Sequence, residues 1–451
     1  MRKLFCVLAG LLFSLGSISA DTLEGKWSGV LEVTPQVSLK LVFNISAASD
    51  GGFTVTMDSP EQNAYGIAAE VNYLSEDSIS VSVPAIAVVY KAALASDGTL
   101  SGTFSQGMLR RDLVLKRGAD ARKRPQTPVP PFEYSIEDVA FRNEAADVTL
   151  AGTLVRPARF SAETPVVILV SGSGLQNRDE EIFEHRPFAV IADWLARNGI
   201  ASLRYDDRGF GDSTGSGAVA TTADFASDAA CGVEYLRSKA EFGKIGVLGH
   251  SEGGEIAFIL ASDDKSAPDF IVTLGAPALR GDSILADQSR TAMLGGGMPE
   301  DAVNSYVSAL LKLYPAYTSG GADAARRVIA QECKGWDKSP LMASLKANME
   351  KIVVQMNPWI AYTVAFSPSE SISGIKCPAF VLYGEKDTQV RAQLNAPVVR
   401  KLNSSVKVKE YSGLNHLFQN AATGAVSEYA VIEETISPSV LSDIVEFINS
   451  L

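Results

Sequence analysis

The sequence predicts an α/β domain, with a mostly parallel sheet, helices on both faces and a helical cap, preceded by a small all-β antiparallel domain. Three observations carry this expectation. Strand-like and helix-like stretches alternate from about residue 134 onward, short runs of alternating apolar and polar residues fill 21–117, and a charged, proline-rich stretch at 118–133 separates the two regimes. At 451 residues the chain exceeds one ordinary core and calls for two domains.

Met1-Arg2-Lys3 is a short positive segment, Leu4 to Leu15 an apolar run, and Ser17, Ser19 and Ala20 are small residues ahead of polar Asp21. Residues 1–20 therefore read as a secretory signal peptide, which places the mature chain in the periplasm or outside the cell. No other segment approaches the ~18 continuous apolar residues of a membrane span. Loss of Arg2 and Lys3 takes the formal charge from −12 to −14, a balance that argues against nucleic acid and anionic membranes as partners. Beyond Cys6 only Cys231, Cys333 and Cys377 remain, enough for at most one disulfide.

In the first domain, Ser38 to Ile45, Phe53 to Met57, Ile79 to Val83 and Leu113 to Leu115 carry period-two patterning, with Asp50-Gly51-Gly52 and Asp97-Gly98 as turns. A small barrel or sandwich follows from that spacing. Gly25-Lys26-Trp27 resembles the opening of lipocalins, and Trp27 reads as a core residue. The linker contains Lys123-Arg124-Pro125 and Pro128-Val129-Pro130-Pro131.

The second domain opens with two strands, Ser135 to Arg142 and Val148 to Val155, and continues with a strand at 165–170. A helix near Phe188 to Asn198, a strand to Tyr205, a helix near Thr222 to Lys239 and a strand at Lys244 to Leu248 follow. Gly249-His250-Ser251-Glu252-Gly253 then joins that strand to a helix-like stretch beginning at Gly254. A serine on so sharp a turn is strained and exposed, and the helix start places N–H groups where an oxyanion would form. Phe270 to Leu274 is the next strand. Alternation stops between about 277 and 374, where helix-like segments such as 301–314 and 322–331 form a cap.

A serine hydroxyl needs a base. The chain has three histidines: His250 beside the serine, His185 early, and His416 in a loop after the strand-like Val406 to Tyr411. His416 is the candidate base and Ser251 the nucleophile. Asp387, in the turn after the buried run Ala379 to Tyr383, is the candidate acid, with Glu385 the alternative; an Asp there also serves to cap a helix beginning near Thr388. Scattered histidines and few cysteines offer no metal-ligand spacing, and nothing in the motifs calls for a cofactor.

Ser251, Asp387 and His416 stand in the chain order of the α/β-hydrolase superfamily. From about residue 134 to its end, the chain resembles its serine hydrolases, in the branch of bacterial secreted esterases related to serine aminopeptidases and acylaminoacyl-peptidases. Pro165 to Val170 resembles that family's third strand, and Ser171-Gly172-Ser173-Gly174 stands where members carry a His-Gly oxyanion loop. Ser171 replaces the usual histidine, and Leu175 falls where similar proteins often have proline. The resemblance implies the α/β-hydrolase fold, the backbone N–H groups of Ser173 and Glu252 as oxyanion hole, and a brace for the sheet in Leu203 to Ser213. Arg178-Asp179-Glu180, His185, Trp359 and Phe366 are candidates for lining the substrate pocket.

Three readings remain open: an ester hydrolase working through an acyl-enzyme, an aminopeptidase or acylaminoacyl-peptidase on the same triad, and a binding protein with an inactive hydrolase fold. The first two take a small-molecule ester or peptide-like substrate; in the third the β domain grips sugar or lipid. The aminopeptidase would need cap carboxylates for a substrate ammonium, with Glu300, Asp301 and Glu350 available. Nothing in the sequence sets an oligomeric state.

Overall fold

Period-two patterning before residue 118 resolves into eight antiparallel strands: β1 (Gly25–Thr34), β2 (Val37–Ala47), β3 (Phe53–Ser59), β4 (Ala64–Leu74), β5 (Ser78–Val83), β6 (Val88–Leu94), β7 (Leu100–Gln106) and β8 (Leu109–Arg117). They close into a barrel, with β8 returning to pair with β1. The computed structural model describes residues 23–34, 37–47, 52–62, 64–75, 77–107, 109–118 and 124–451; the signal-peptide reading lies outside them. On β5 the buried residues Ile79, Val81 and Val83 alternate with serines, as a one-sided strand requires. Trp27, Phe43, Met57 and Tyr90 fill the interior, so the barrel encloses packed side chains. Trp27 Nε1 donates to the Leu23 carbonyl at 2.8 Å.

The chain divides into two compact units, residues up to 122 and from 123 onward. Part of the segment read as a linker is fastened to the second unit. The Arg124 guanidinium donates to the carbonyls of Phe183 and Ile432, both at 2.8 Å, and the Gln126 amide bonds Thr435 and Ile436. Satisfying those buried carbonyls explains why the segment is not a free tether over its whole length.

In the second unit eight strands form one sheet: β9 (Ser135–Asn143), β10 (Val148–Arg156), β11 (Val166–Val170), β12 (Ala201–Tyr205), β13 (Ile245–His250), β14 (Phe270–Leu274), β15 (Ala379–Gly384) and β16 (Lys407–Tyr411). Their spatial order is β16-β15-β14-β13-β11-β12-β10-β9, parallel from β12 through β16 and antiparallel at β9 and β10. All five residues of β11 are buried. Val166, Ile168 and Val170 enter one core, and Val167 and Leu169 enter the other. Helices α1 (Pro187–Arg197), α2 (Thr222–Lys239) and α3 (Glu252–Ser262) follow β11, β12 and β13.

Between Leu274 and Ala379 the chain leaves the sheet for α4 (Gly281–Gly295), α5 (Glu300–Glu332), α6 (Pro340–Gln355), α7 (Pro358–Ala365) and α8 (Ser369–Gly374). Gly320 and Gly321 leave helical geometry and split α5, matching the two helix-like segments read there. This insertion has its own core, with Leu310, Leu313, Ile329 and Met349 at its centre. Helices α9 (Ala392–Leu402), α10 (Val426–Tyr429) and α11 (Pro438–Asn449) complete the fold. Buried residues of α2, α3 and α9 share one core, while those of α1 and α11 share the other. Among the described residues no helix is long and apolar enough to cross a membrane, and Cys231, Cys333 and Cys377 are free thiols.

Candidate active site

β13 ends at His250 and α3 begins at Glu252, leaving Ser251 alone on the turn at φ 53°, ψ −116°. That conformation costs a non-glycine residue about 1–3 kcal/mol, so the surroundings must enforce it. They do so by close approach. A Cβ on Gly249 would lie 1.9 Å from the Gly253 carbonyl oxygen, and one on Gly253 would lie 2.0 Å from that of Val170. Only glycine fits either place.

His416 follows β16, and Asp387 lies just beyond β15, so parallel neighbours bring both loops to the same end of the sheet. His416 Nδ1 lies 2.6 Å from Asp387 Oδ2, with both side chains buried. An ionised Asp387 accepts the Nδ1 proton and leaves Nε2 free to take another. Asp387 Oδ1 accepts the N–H groups of Gln389 and Val390, each at 2.8 Å, so the capping role and the histidine contact use different oxygens. Glu385 instead accepts from the Ser412 hydroxyl and the Gly413 N–H. Ser251 and His416 line one cavity, with no hydrogen bond between them in this structure.

The segment read as an oxyanion loop runs between β11 and α1. Its Gly172 N–H donates to Glu180 Oε1 at 2.7 Å. Asp207 accepts from the Ser171 hydroxyl at 3.0 Å and the Gln176 N–H at 2.8 Å. Burial pushes the Asp207 carboxyl up to about 8, against those two hydrogen bonds. Arg178 pairs with Asp206 at 2.6 Å, and Arg208 grips Asp228 with both Nε and Nη2. The charged stretch after β12 is thus a brace. As the first residue of α3, Glu252 has an N–H without an intrahelical acceptor.

The cavity measures about 210 Å³ and is lined by Ser173, Glu180, His250, Glu252, Glu255 and Trp359 among others. Glu252 Oε1 accepts from the Thr222 hydroxyl at 2.6 Å and from Trp359 Nε1 at 2.8 Å, joining α7 of the insertion to the start of α3. Burial raises the Glu252 carboxyl against those bonds, and burial followed by the charge of Glu252 raises Glu255 well above the usual carboxylate range. Neither forms an ion pair among the described residues.

His185 does not line this cavity, contrary to expectation. It is wholly buried, with Nδ1 2.9 Å from the Thr435 hydroxyl and Nε2 3.0 Å from the Tyr429 carbonyl, fixing the loop before α1 to the C-terminal segment. Phe366 stacks on Tyr362 at 5.6 Å rather than lining the cavity, and Glu300, Asp301 and Glu350 are not part of its wall. The carboxylates that do line it, Glu180, Glu252 and Glu255, come from the oxyanion-loop segment and α3. Of these, Glu255 drew no notice in the sequence; its only signal there was a charged residue inside an otherwise apolar helix run.

Residues 184–316 match the family model of serine aminopeptidases of the S33 group. Esterase EstD of Thermotoga maritima is 31% identical over 161 residues, which are 35% of this chain and 38% of that protein. The chain thus spans well under half the length of this curated relative. Among solved structures, esterase Pf2001 of Pyrococcus furiosus is 18% identical with a TM-score of 0.44, covering 74% of this chain and 99% of that one. Est1E of Butyrivibrio proteoclasticus, with ferulic acid bound, is 16% identical with a TM-score of 0.44, covering 69% and 98%. The second unit has the α/β-hydrolase fold, with its cap inserted between β14 and β15.

Proposed function

We propose that the second unit is a carboxylic-ester hydrolase acting through an acyl-enzyme, with Ser251 as nucleophile. One observation carries the reading: a buried His416, held by Asp387 at 2.6 Å, lines the same cavity as a serine held at positive φ on a strand-to-helix turn. In this scheme the Ser251 hydroxyl attacks the ester carbonyl carbon while His416 Nε2 takes its proton. Asp387 stabilises the imidazolium that forms. The N–H groups of Ser173 and Glu252 hold the oxyanion, donors of a kind that contribute about 3–4 kcal/mol each. His416 then gives its proton to the departing alkoxide. Water attacks the acyl-serine with His416 again as base, releasing the acid and restoring Ser251.

A cavity of about 210 Å³ suits a short acyl group. Export by the N-terminal leader belongs to the same proposal and is tested by N-terminal sequencing of secreted protein. Glu252 and Glu255, unpaired acids on the wall, favour a second reading in which the substrate carries an ammonium group.

A panel of nitrophenyl esters from acetyl to long acyl, beside aminoacyl nitroanilides, separates the readings. Ser251-dependent ester cleavage falling with acyl length supports the esterase. Anilide cleavage that requires a free amine supports the aminopeptidase. Ester turnover undiminished in Ser251→Ala refutes both.

A further inference from the structure

The geometry points to Glu180 and His250 as a second, charged acid–imidazolium pair that positions the oxyanion loop and the His416 loop together. This role rests on the hydrolase reading above; the charge state it requires does not.

His250 is held through both ring nitrogens. Its Nε2 lies 3.1 Å from the His416 carbonyl oxygen. A carbonyl only accepts, so Nε2 carries a proton. Its Nδ1 lies 2.9 Å from Glu180 Oε1, the same oxygen that accepts the Gly172 N–H at 2.7 Å. A carboxylate oxygen accepts two such bonds most strongly, and we place the shared proton on Nδ1 rather than on Glu180. His250 is then an imidazolium, and both partners are nine-tenths buried or more. Burial opposes that charge, but Glu180 and the His416 carbonyl outweigh it and hold the His250 pKa above its ordinary value.

The consequences run in two directions. Toward β11, Glu180 holds Gly172, the residue before the proposed oxyanion donor Ser173. Toward β16, His250 holds the backbone of His416 itself, with the two rings 4.8 Å apart. Glu180 comes from the loop after β11, His416 and Asp387 from the loops after β16 and β15, and Glu252 and Glu255 from α3. The pair therefore holds the proposed base and the proposed oxyanion loop in one alignment.

Three histidines make the test direct. In protein labelled with ¹⁵N-histidine, signals are assigned with His185→Gln and His416→Gln. At pH 7 both His250 ring nitrogens are expected to be protonated, with a titration midpoint above that of ordinary histidine. A neutral His250 at pH 7 overturns the proposal, whatever the activity. Glu180→Gln keeps the volume and removes the charge; because one atom meets both Gly172 N–H and His250 Nδ1, the amide keeps only one of the two bonds. It is expected to bring the His250 midpoint down to or below that of ordinary histidine. Glu180→Ala also frees Gly172 and is expected to lower kcat about 100-fold with KM within threefold. An unmoved His250 midpoint in folded Glu180→Gln, with kcat unchanged in folded Glu180→Ala, reduces the pair to a structural contact. Loss of the proposed esterase activity in every assay leaves the spectroscopic test standing, so the two failures are distinguishable.

Discussion

Gly275 sits at φ +61° in the turn after β14, and a Cβ built there lies 3.1 Å from both Cε1 and Nδ1 of His416 and 3.4 Å from Asp387 Oδ2. Gly275→Ala therefore does two separable things. It places an alanine in the left-handed region, at about 1 kcal/mol. It also presses a methyl group against the imidazole, which must give by a few tenths of an ångström and disturb the 2.6 Å bond to Asp387. Small misplacements of reacting groups cost one to two powers of ten, so kcat is expected to fall roughly 10- to 100-fold with KM within threefold. Gly199→Ala is the control: its φ is +82°, but its Cβ meets nothing within 4 Å. Thermal melts should place both variants about 2–4 °C below the parent. Steady-state kinetics on a short-chain nitrophenyl ester should separate them. If Gly275→Ala turns over as fast as Gly199→Ala, the orientation of His416 does not limit catalysis and the reasoning fails.

Asp387→Asn, which leaves His416 free to take the wrong tautomer, should lower kcat by about three to four orders of magnitude at similar KM in the same assay. Trp359→Phe removes a donor from buried Glu252 and should raise KM about tenfold while the far-ultraviolet circular dichroism stays that of the parent. Arg208→Met leaves buried Asp228 without its cation, with the Asn143 amide still donating to it, and should cost about 3–5 kcal/mol by urea unfolding. Asp207 keeps its proton in the native state up to about 8, whereas in the unfolded chain it loses it near 4. The unfolded chain then binds fewer protons between those values, so the contribution of Asp207 is full below about pH 4 and is lost as pH rises toward 8. Against Asp207→Asn, whose amide does not titrate, the wild-type advantage should shrink across that window; a flat difference in chemical-denaturation curves counts against the shift.

What could be read from the sequence was local. The Ser251 turn was visible because a strand, two glycines and a helix sit within a few residues, and the strands of both units were visible because burial alternates or saturates along short runs. The places of His185 and Glu180 were not. His185 meets Thr435, 250 positions on, and Glu180 meets His250, 70 positions on; no periodicity encodes a partner at that distance. The same holds for Trp359, whose bond to Glu252 crosses 107 positions and depends on how the insertion folds back. For the aminopeptidase reading, the insertion offers Glu300, Asp301 and Glu350 on its helices, whereas burial selects the acids at the start of α3.

The insertion between β14 and β15 has a further consequence. Ile271 pairs with Ala379 and Leu274 with Leu382, so the parallel strands run side by side as if the chain between them were an ordinary one-helix crossover. For the sheet, doubling such an excursion costs only about 0.6 kcal/mol in closure entropy. Ser251 and His416 hang from β13 and β16, outside that excursion, and Asp387 follows its return. The helices over the cavity can therefore lengthen, shorten or change sequence while the groups beneath keep their places. In such a chain, what is admitted and what reacts can evolve on separate schedules.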